Sequence, residues 1–381
     1  MQDHSGAFIP WDLALDSLIP RTAATIPGPT ESFTVFENIA PGPLGIDNSS
    51  IEFFFAYRSE ASPAELYYSA TPLVVTIDPY DPLSTIYSAA EIIDTSVFDE
   101  GRDREIPVLI YRSQQSGPSP TILFSHGLGG DRFNVIYLAE HWSARGFNVI
   151  NLQHPGSDSS IHEGLPANEI LAAFQEAANL SNSIARVEDV FAVIDQLEIW
   201  NEDPGSALYN SVNLSKIGMS GHSFGARTTM ATSGQQVPTI PGETLDPRIQ
   251  AAVVLSPSPP GLGTPEEAFG MVELPWLLMT GTLDESIVND VTAEQRQLVY
   301  PALPPGGKYE LVLFKGEHHA FTDRELSAGQ NPRNPAHHGE IMALSTAFWE
   351  AWLLDNVSAR TWLDGDGAVS TLQPGDTWQF K

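Results

Sequence analysis

Apolar residues in this chain gather in short unbroken runs set between amphipathic stretches. Thr121-Ile122-Leu123-Phe124-Ser125, Ala251-Ala252-Val253-Val254-Leu255, Trp276-Leu277-Leu278-Met279-Thr280 and Tyr309-Glu310-Leu311-Val312-Leu313-Phe314 are such runs, as is Phe147 to Leu152. A run of this length without alternation predicts a strand buried on both faces. Val108-Leu109-Ile110-Tyr111 and Lys216-Ile217-Gly218-Met219-Ser220 read as two further strands. The stretches between them carry a helical period. One helix is predicted near Val135 to Arg145, stopped by Gly146. The segment Glu169 to Trp200 is helical in its spacing, with Leu171, Phe174, Val190, Val193, Ile194 and Leu197 toward the core. Ala226 to Ala231 starts another helix, and Ile341 to Leu354 closes the series. Strands alternating with helices predict an α/β fold, with a mostly parallel central sheet and helices on both faces.

The first 88 or so residues follow a different pattern. Pro27, Pro29, Pro41 and Pro43 punctuate short strand-like runs, Ser32-Phe33-Thr34-Val35-Phe36, Ile51 to Tyr57 and Leu73 to Ile77. The aromatics in these runs argue against disorder. The predicted organisation is a β-rich N-terminal extension, residues 1–88, packed on a catalytic domain, residues 89–381. The tail Gln379-Phe380-Lys381 adds a short strand.

Composition narrows the chemistry. The chain has 381 residues, 42% of them hydrophobic, enough for a large core. No cysteine is present, so disulfides, thiolate metal sites and a cysteine nucleophile are excluded. Net charge is -30, which makes nucleic acid and anionic membranes poor partners. Only four of the 18 basic residues are lysine, a balance suited to a saline environment or to plain solubility. No apolar run approaches the roughly 18 residues of a membrane helix, so no integral membrane segment is expected. Met1-Gln2-Asp3-His4-Ser5-Gly6 has neither a basic nor an apolar leader region. A processed exported protein looks the same, and the compartment is left open with a lean toward a secreted or periplasmic protein whose leader has been removed.

The chemistry-bearing motif is Gly221-His222-Ser223-Phe224-Gly225. It reads G-x-S-x-G, a serine on a sharp strand-to-helix turn, flanked by glycines because so tight a turn leaves no room for Cβ atoms. The apolar strand before it and the helix after it supply the required context. An acid is expected after a later strand, and Asp284 stands just beyond the Trp276 strand, with Asp290 as its nearest rival. A loop aspartate is more often a cap, but the order serine, acid, histidine favours Asp284. After the last strand come two candidates, His318 and His319, only one of which faces Ser223. His337 and His338 read as a surface loop. The glycine loop His126-Gly127-Leu128-Gly129-Gly130 and the residue after the serine are candidates for an oxyanion hole, through the backbone N–H groups of Leu128 and Phe224. No metal is assigned. The histidine pairs lack zinc-site spacing, and Asp364-Gly365-Asp366-Gly367 begins like a calcium loop but has Ala368 at the next ligand position. Phe224, Leu128, Phe269, Met271 and Trp276 lie near strand ends and suit a hydrophobic ester, although each also fits a core, Trp276 most of all.

Ser125-His126-Gly127-Leu128-Gly129 together with Gly221-His222-Ser223-Phe224-Gly225 resembles the platelet-activating-factor acetylhydrolase group of α/β-hydrolases. It is also similar to bacterial proteins labelled predicted dienelactone hydrolases. Phe98 to Val108 resembles the approach to the catalytic domain in that group, and Arg186 to Leu197, with Asp189, Asp195 and Gln196, is similar too. The resemblance spans roughly residues 89–381. It implies the α/β-hydrolase fold and a serine carboxylic-ester hydrolase without a cofactor. Ser223, Asp284 and a histidine would form its triad, with Leu128 and Phe224 as oxyanion donors. The substrate would be a small-molecule or polymeric ester. In that group the histidine commonly stands three residues before a phenylalanine, which makes His318, three ahead of Phe321, the preferred candidate, with His319 as the alternative that counting forward from Gly316 favours. Dienelactone hydrolases proper use a cysteine nucleophile, which this chain lacks, so that label does not set the substrate. The first 88 residues lie outside the resemblance.

Overall fold

A strand that is apolar on both faces must be covered on both, and the runs above are met by a sheet between two layers of helix. The structure is a computed structural model that describes residues 80–324, 326 and 331–381, with four strand segments before them. The described residues form two compact units, one up to Tyr80 and one from Asp81 onward.

In the first unit β1 (Ser50–Phe53) pairs antiparallel with β4 (Leu73–Thr76), and β2 (Ala56–Ser59) with β3 (Ser62–Tyr68). The candidate strand Ser32 to Phe36 lies outside the described residues. The expected boundary near residue 88 meets a different division. Arg145 Nη1 donates to the carbonyls of Asp81 and Ser84 at 3.0 and 2.8 Å, and the N–H groups of Ile86 and Tyr87 donate to Ala144 O. Residues 81–88 therefore belong with the larger unit.

That unit holds a nine-stranded mixed sheet. Its strands are β5 (Glu91–Asp99), β6 (Arg104–Arg112), β7 (Ser119–Ser125), β8 (Asn148–Leu152), β9 (Val212–His222), β10 (Ile249–Leu255), β11 (Trp276–Leu283), β12 (Lys308–Glu317) and β13 (Thr377–Phe380). They lie in the order β13-β12-β11-β10-β9-β7-β8-β6-β5. The six from β12 to β8 are mutually parallel, while β13, β6 and β5 run antiparallel to their neighbours. Every residue of β7 and β8 is buried, as continuous apolar runs require.

The helices that matter below are α1 (Ile136–Ala144), α2 (Ala167–Ala177), α3 (Leu180–Glu202), α4 (Phe224–Thr232), the four-residue α5 (Ala293–Arg296) and α6 (Pro335–Leu353). On one face Val190, Val193, Ile194 and Leu197 of α3 share a buried cluster with Leu123, Ile150 and Met219. Ala226 and Met230 of α4 share another with Val254, Phe269 and Trp276.

Two expectations need correction. The helical segment Glu169 to Trp200 is two helices, because the Asn179 side chain accepts from Asn182 N at 2.8 Å and starts a new helix there. The period therefore does not run through, and Leu171, read as core, is 47% exposed. His337 and His338 are not on a surface loop. Asn334 caps a helix that opens with Pro335, six residues before the expected start at Ile341. His337 is buried in its first turn, and the His338 ring stacks on Tyr137 at 3.9 Å.

Chain order places the candidate site. From β7 the chain moves outward to β8, then returns across the sheet through α2 and α3 to β9 on the other side of β7. The gap between β7 and β9 is thus a topological switch point, where the loops leaving adjacent parallel strands diverge and open a crevice. His126 to Gly130 leaves β7, and Ser223 leaves β9.

Candidate active site

Ser223 stands between the end of β9 and the start of α4 with φ 58° and ψ -111°. A non-glycine residue at positive φ is strained, and the strain persists only where surrounding contacts hold it. The Ser223 N–H donates to Leu255 O at 3.0 Å, which ties the turn to β10. α4 then leaves so steeply that its first turn presses on β7. A Cβ at Gly225 would fall 1.9 Å from Ser125 O, and one at Gly221 would fall 2.4 Å from Gly225 O. Both flanking glycines are required by close backbone approach.

His318 opens a single 3-10 turn, His318–Phe321, at the end of β12. Its Nε2 lies 2.8 Å from Ser223 Oγ and its Nδ1 2.6 Å from Asp284 Oδ1. Asp284 follows β11, fully buried, and its Oδ2 accepts from Thr280 Oγ1 at 2.8 Å. Burial alone would raise the Asp284 pKa, but His318 and then Arg296 outweigh it and bring it down to about 2. With Asp284 ionised, Nδ1 of His318 carries the proton and donates it, which leaves Nε2 to accept from the Ser223 hydroxyl. The structure brings Ser223, His318 and Asp284 together and leaves the rivals out. His319 turns away, its Nε2 donating to Asn331 O at 3.0 Å. Asp290 is exposed.

Two neighbours of this chain of groups escaped sequence reading. Arg296, at the end of α5, donates from Nε to Asp284 O at 2.7 Å and lies 3.1 Å from Asp284 Oδ1. Its Nη1 reaches Ser256 O, Pro257 O and Ser258 Oγ. One buried guanidinium therefore joins the loops after β10 and β11. No local pattern marks an arginine in a four-residue helix for this. His222, inside the pentapeptide itself, donates from Nε2 to His318 O at 2.9 Å. Burial, then the nearby His318, push its pKa well below the ordinary range, so it is a neutral donor that fixes the His318 backbone.

The loop after β7 abuts the serine, since a Cβ at Gly127 would lie 3.4 Å from Ser223 Cβ. Among the described residues the N–H groups of Leu128 and Phe224 have no hydrogen-bond acceptor. Beneath the loop runs a second serine–histidine–aspartate chain. Ser125 Oγ is 2.9 Å from His154 Nε2, and His154 Nδ1 is 2.9 Å from Asp189 Oδ2. Ser125, His154 and Asp189 have no solvent exposure, so no substrate reaches them where they stand. Arg186 ties this chain to the loop, donating from Nη1 to His126 O at 2.7 Å, with its guanidinium 4.5 Å over the Phe224 ring. Arg104 pairs with Asp189 from the far side at 2.7 Å. The arrangement is a buried polar brace with every member paired, which rigidifies what it holds.

Ser223 and His318 open into a cavity of about 470 Å³. Leu128 and Phe224 flank the serine, and Leu180, Val237, Ile240 and Leu262 give the walls an apolar character. Phe269 and Trp276, weighed as pocket residues from the sequence, are fully buried in the core under α4. Met271 is 73% exposed and does not line the cavity. No group of three or more histidine, aspartate or glutamate side chains is placed to hold a metal among the described residues. No helix among them is long and apolar enough to cross a membrane. No protein-family model matches the chain, and no curated protein matches it.

Proposed function

We propose that the chain is a serine carboxylic-ester hydrolase with the α/β-hydrolase fold, acting on hydrophobic, short-acyl esters. One observation carries the proposal: the relay Ser223–His318–Asp284, at 2.8 and 2.6 Å, stands at a cavity with partly apolar walls. The motif resemblance supports the same reading. Ser223 Oγ attacks the ester carbonyl carbon as His318 Nε2 takes its proton. The carbonyl electron pair moves onto oxygen, and the N–H groups of Leu128 and Phe224 hold the oxyanion. As the tetrahedral species collapses, the C–O bond to the alcohol breaks, and the alcohol leaves with the proton from His318. Water then attacks the acyl-enzyme by the same route and frees Ser223 and the acid. Asp284 stays ionised throughout, orienting the imidazole and stabilising its cation. These steps draw only on side chains and backbone amides.

Hydrolysis of 4-nitrophenyl butyrate tests the reading. Ser223→Ala is expected to lower kcat by about 10⁴-fold or more, with the circular dichroism spectrum unchanged. A variant that keeps a tenth of the wild-type rate would sink the assignment. Matched ester and amide substrates separate an esterase from an amidase on the same relay.

A further inference from the structure

The cavity holds a charge that the ester reaction does not use. Its described lining contains two arginines, Arg227 and Arg296, and no aspartate or glutamate. The chain as a whole has 48 acidic and 18 basic residues, so a cavity of this size without an acid runs against its composition. The two arginines differ. Arg296 is saturated by Asp284, Ser256, Pro257 and Ser258. Arg227 has no carboxylate partner and no hydrogen-bonded side-chain partner among the described residues. It sits one helical turn beyond the serine, its N–H donating to Ser223 O at 3.2 Å. Ser223 stands just before the helix and Arg227 in its first turn, and both line the same cavity. The guanidinium reaches across to the loop after β10, where a Cβ on Gly261 would lie 3.5 Å from Nη2. Arg227 lines the cavity and is exposed, and partial desolvation, then repulsion by Arg296, lower its pKa below the ordinary value. A planar, five-donor cation in the cavity lining matches a carboxylate.

We propose that Arg227 binds a carboxylate at the far end of the acyl chain, so that the favoured substrates are monoesters of dicarboxylic acids. The proposal rests on the ester-hydrolase reading for the reaction but not for the binding. The ester carbonyl sits at Ser223 and the free carboxylate pairs with Arg227 one turn along α4, with apolar wall residues around the methylenes between. Binding the second carboxylate breaks no bond and moves no proton.

Two esters of equal length make the test, 4-nitrophenyl hemiadipate and 4-nitrophenyl hexanoate, which differ in a terminal carboxylate against a methyl. The wild-type protein is expected to favour the hemiadipate in kcat/KM by about tenfold or more, mostly through KM. A charge-assisted pair of this kind is worth about 10- to 100-fold. Arg227→Gln is expected to cancel that preference, and Arg227→Lys to restore part of it. No preference in the wild type, or a preference that survives Arg227→Gln, would overturn the proposal. Calorimetry with adipate on the Ser223→Ala protein keeps the two readings apart. Adipate binding that weakens at least tenfold on adding Arg227→Gln supports the site even if neither ester is turned over. Adipate that binds both proteins equally, or neither, removes it even if both esters are hydrolysed.

Discussion

In the proposed reaction, proton transfer from Ser223 requires an imidazole held in one tautomer and one orientation. Asp284 at 2.6 Å supplies both from a buried position, with Thr280 and Arg296 holding the carboxylate in turn. Replacing it with its neutral isostere keeps the shape and permits the wrong tautomer. Asp284→Asn is therefore expected to cut kcat by about 10⁴-fold while Ser223 and His318 remain. A loss under tenfold in steady-state hydrolysis would remove Asp284 from the mechanism. At this scale the sequence was legible in proportion to how local each constraint is. Ser223 announced itself because the glycines that make its turn possible are its chain neighbours. Asp284 was legible through its order after β11. His318 and His319 are adjacent and chemically identical, and only the direction of a 3-10 turn separates them, so spacing left both open. Arg296 and His222 act across loops that meet only on folding.

The element that matters most is the crossing of α4 over β7. Its tightness fixes where Ser223 points and brings the Leu128 loop alongside. Gly225→Ala would put a methyl group 1.9 Å from a backbone oxygen that no rotamer change moves. The cost is expected to be about 3 kcal/mol or more, read as a fall in the urea midpoint together with lost ester hydrolysis. A variant with wild-type stability would mean that this crossing is looser than described. Strand positions were legible because buried parallel strands leave unbroken apolar runs. Helix ends were less so. The break at Asn179 needs one capping side chain that a period cannot signal, and it put Leu171 in solvent. The brace of Ser125, His154, Asp189 and Arg186 was invisible as a unit, since its members come from three separate segments, the end of β7, the loop after β8 and α3.

For the whole molecule, strand order turns these local features into a site. Alternating strands and helices foretold a parallel sheet, but not that β7 would lie between β8 and β9, which opens the crevice. The same interior sets the pH dependence of stability. Burial holds His126, His141, His154, His222, His337 and His338 below their ordinary pKa, His154 at about 4. Between pH 6.5 and 4 the unfolded chain takes up protons that the folded chain refuses, so stability falls on acidification. His154 alone accounts for about 3 kcal/mol of this. Burial raises Glu310 to about 7 and Glu340 to about 8. A folded chain that keeps these protons longer than the unfolded one loses stability as pH rises toward 8. The two signs together place maximum stability near pH 7, with six histidines outweighing two glutamates on the acid side. Burial lowers Lys308 to about 8, which adds stability with rising pH only above that value, so urea midpoints measured from pH 4 to pH 8 should pass through that maximum, and a midpoint that rises on acidification below pH 6.5 would contradict the account.

The central claim is that Ser223 is a nucleophile activated by His318. A fluorophosphonate reacts with such a serine and with no unactivated hydroxyl, including that of the buried Ser125. Labelling the intact protein and mapping the adduct by peptide mass spectrometry is the direct measurement. The expected result is one adduct per chain, on Ser223, with ester hydrolysis falling in step with labelling. No adduct at Ser223, or full labelling with hydrolysis undiminished, would contradict it.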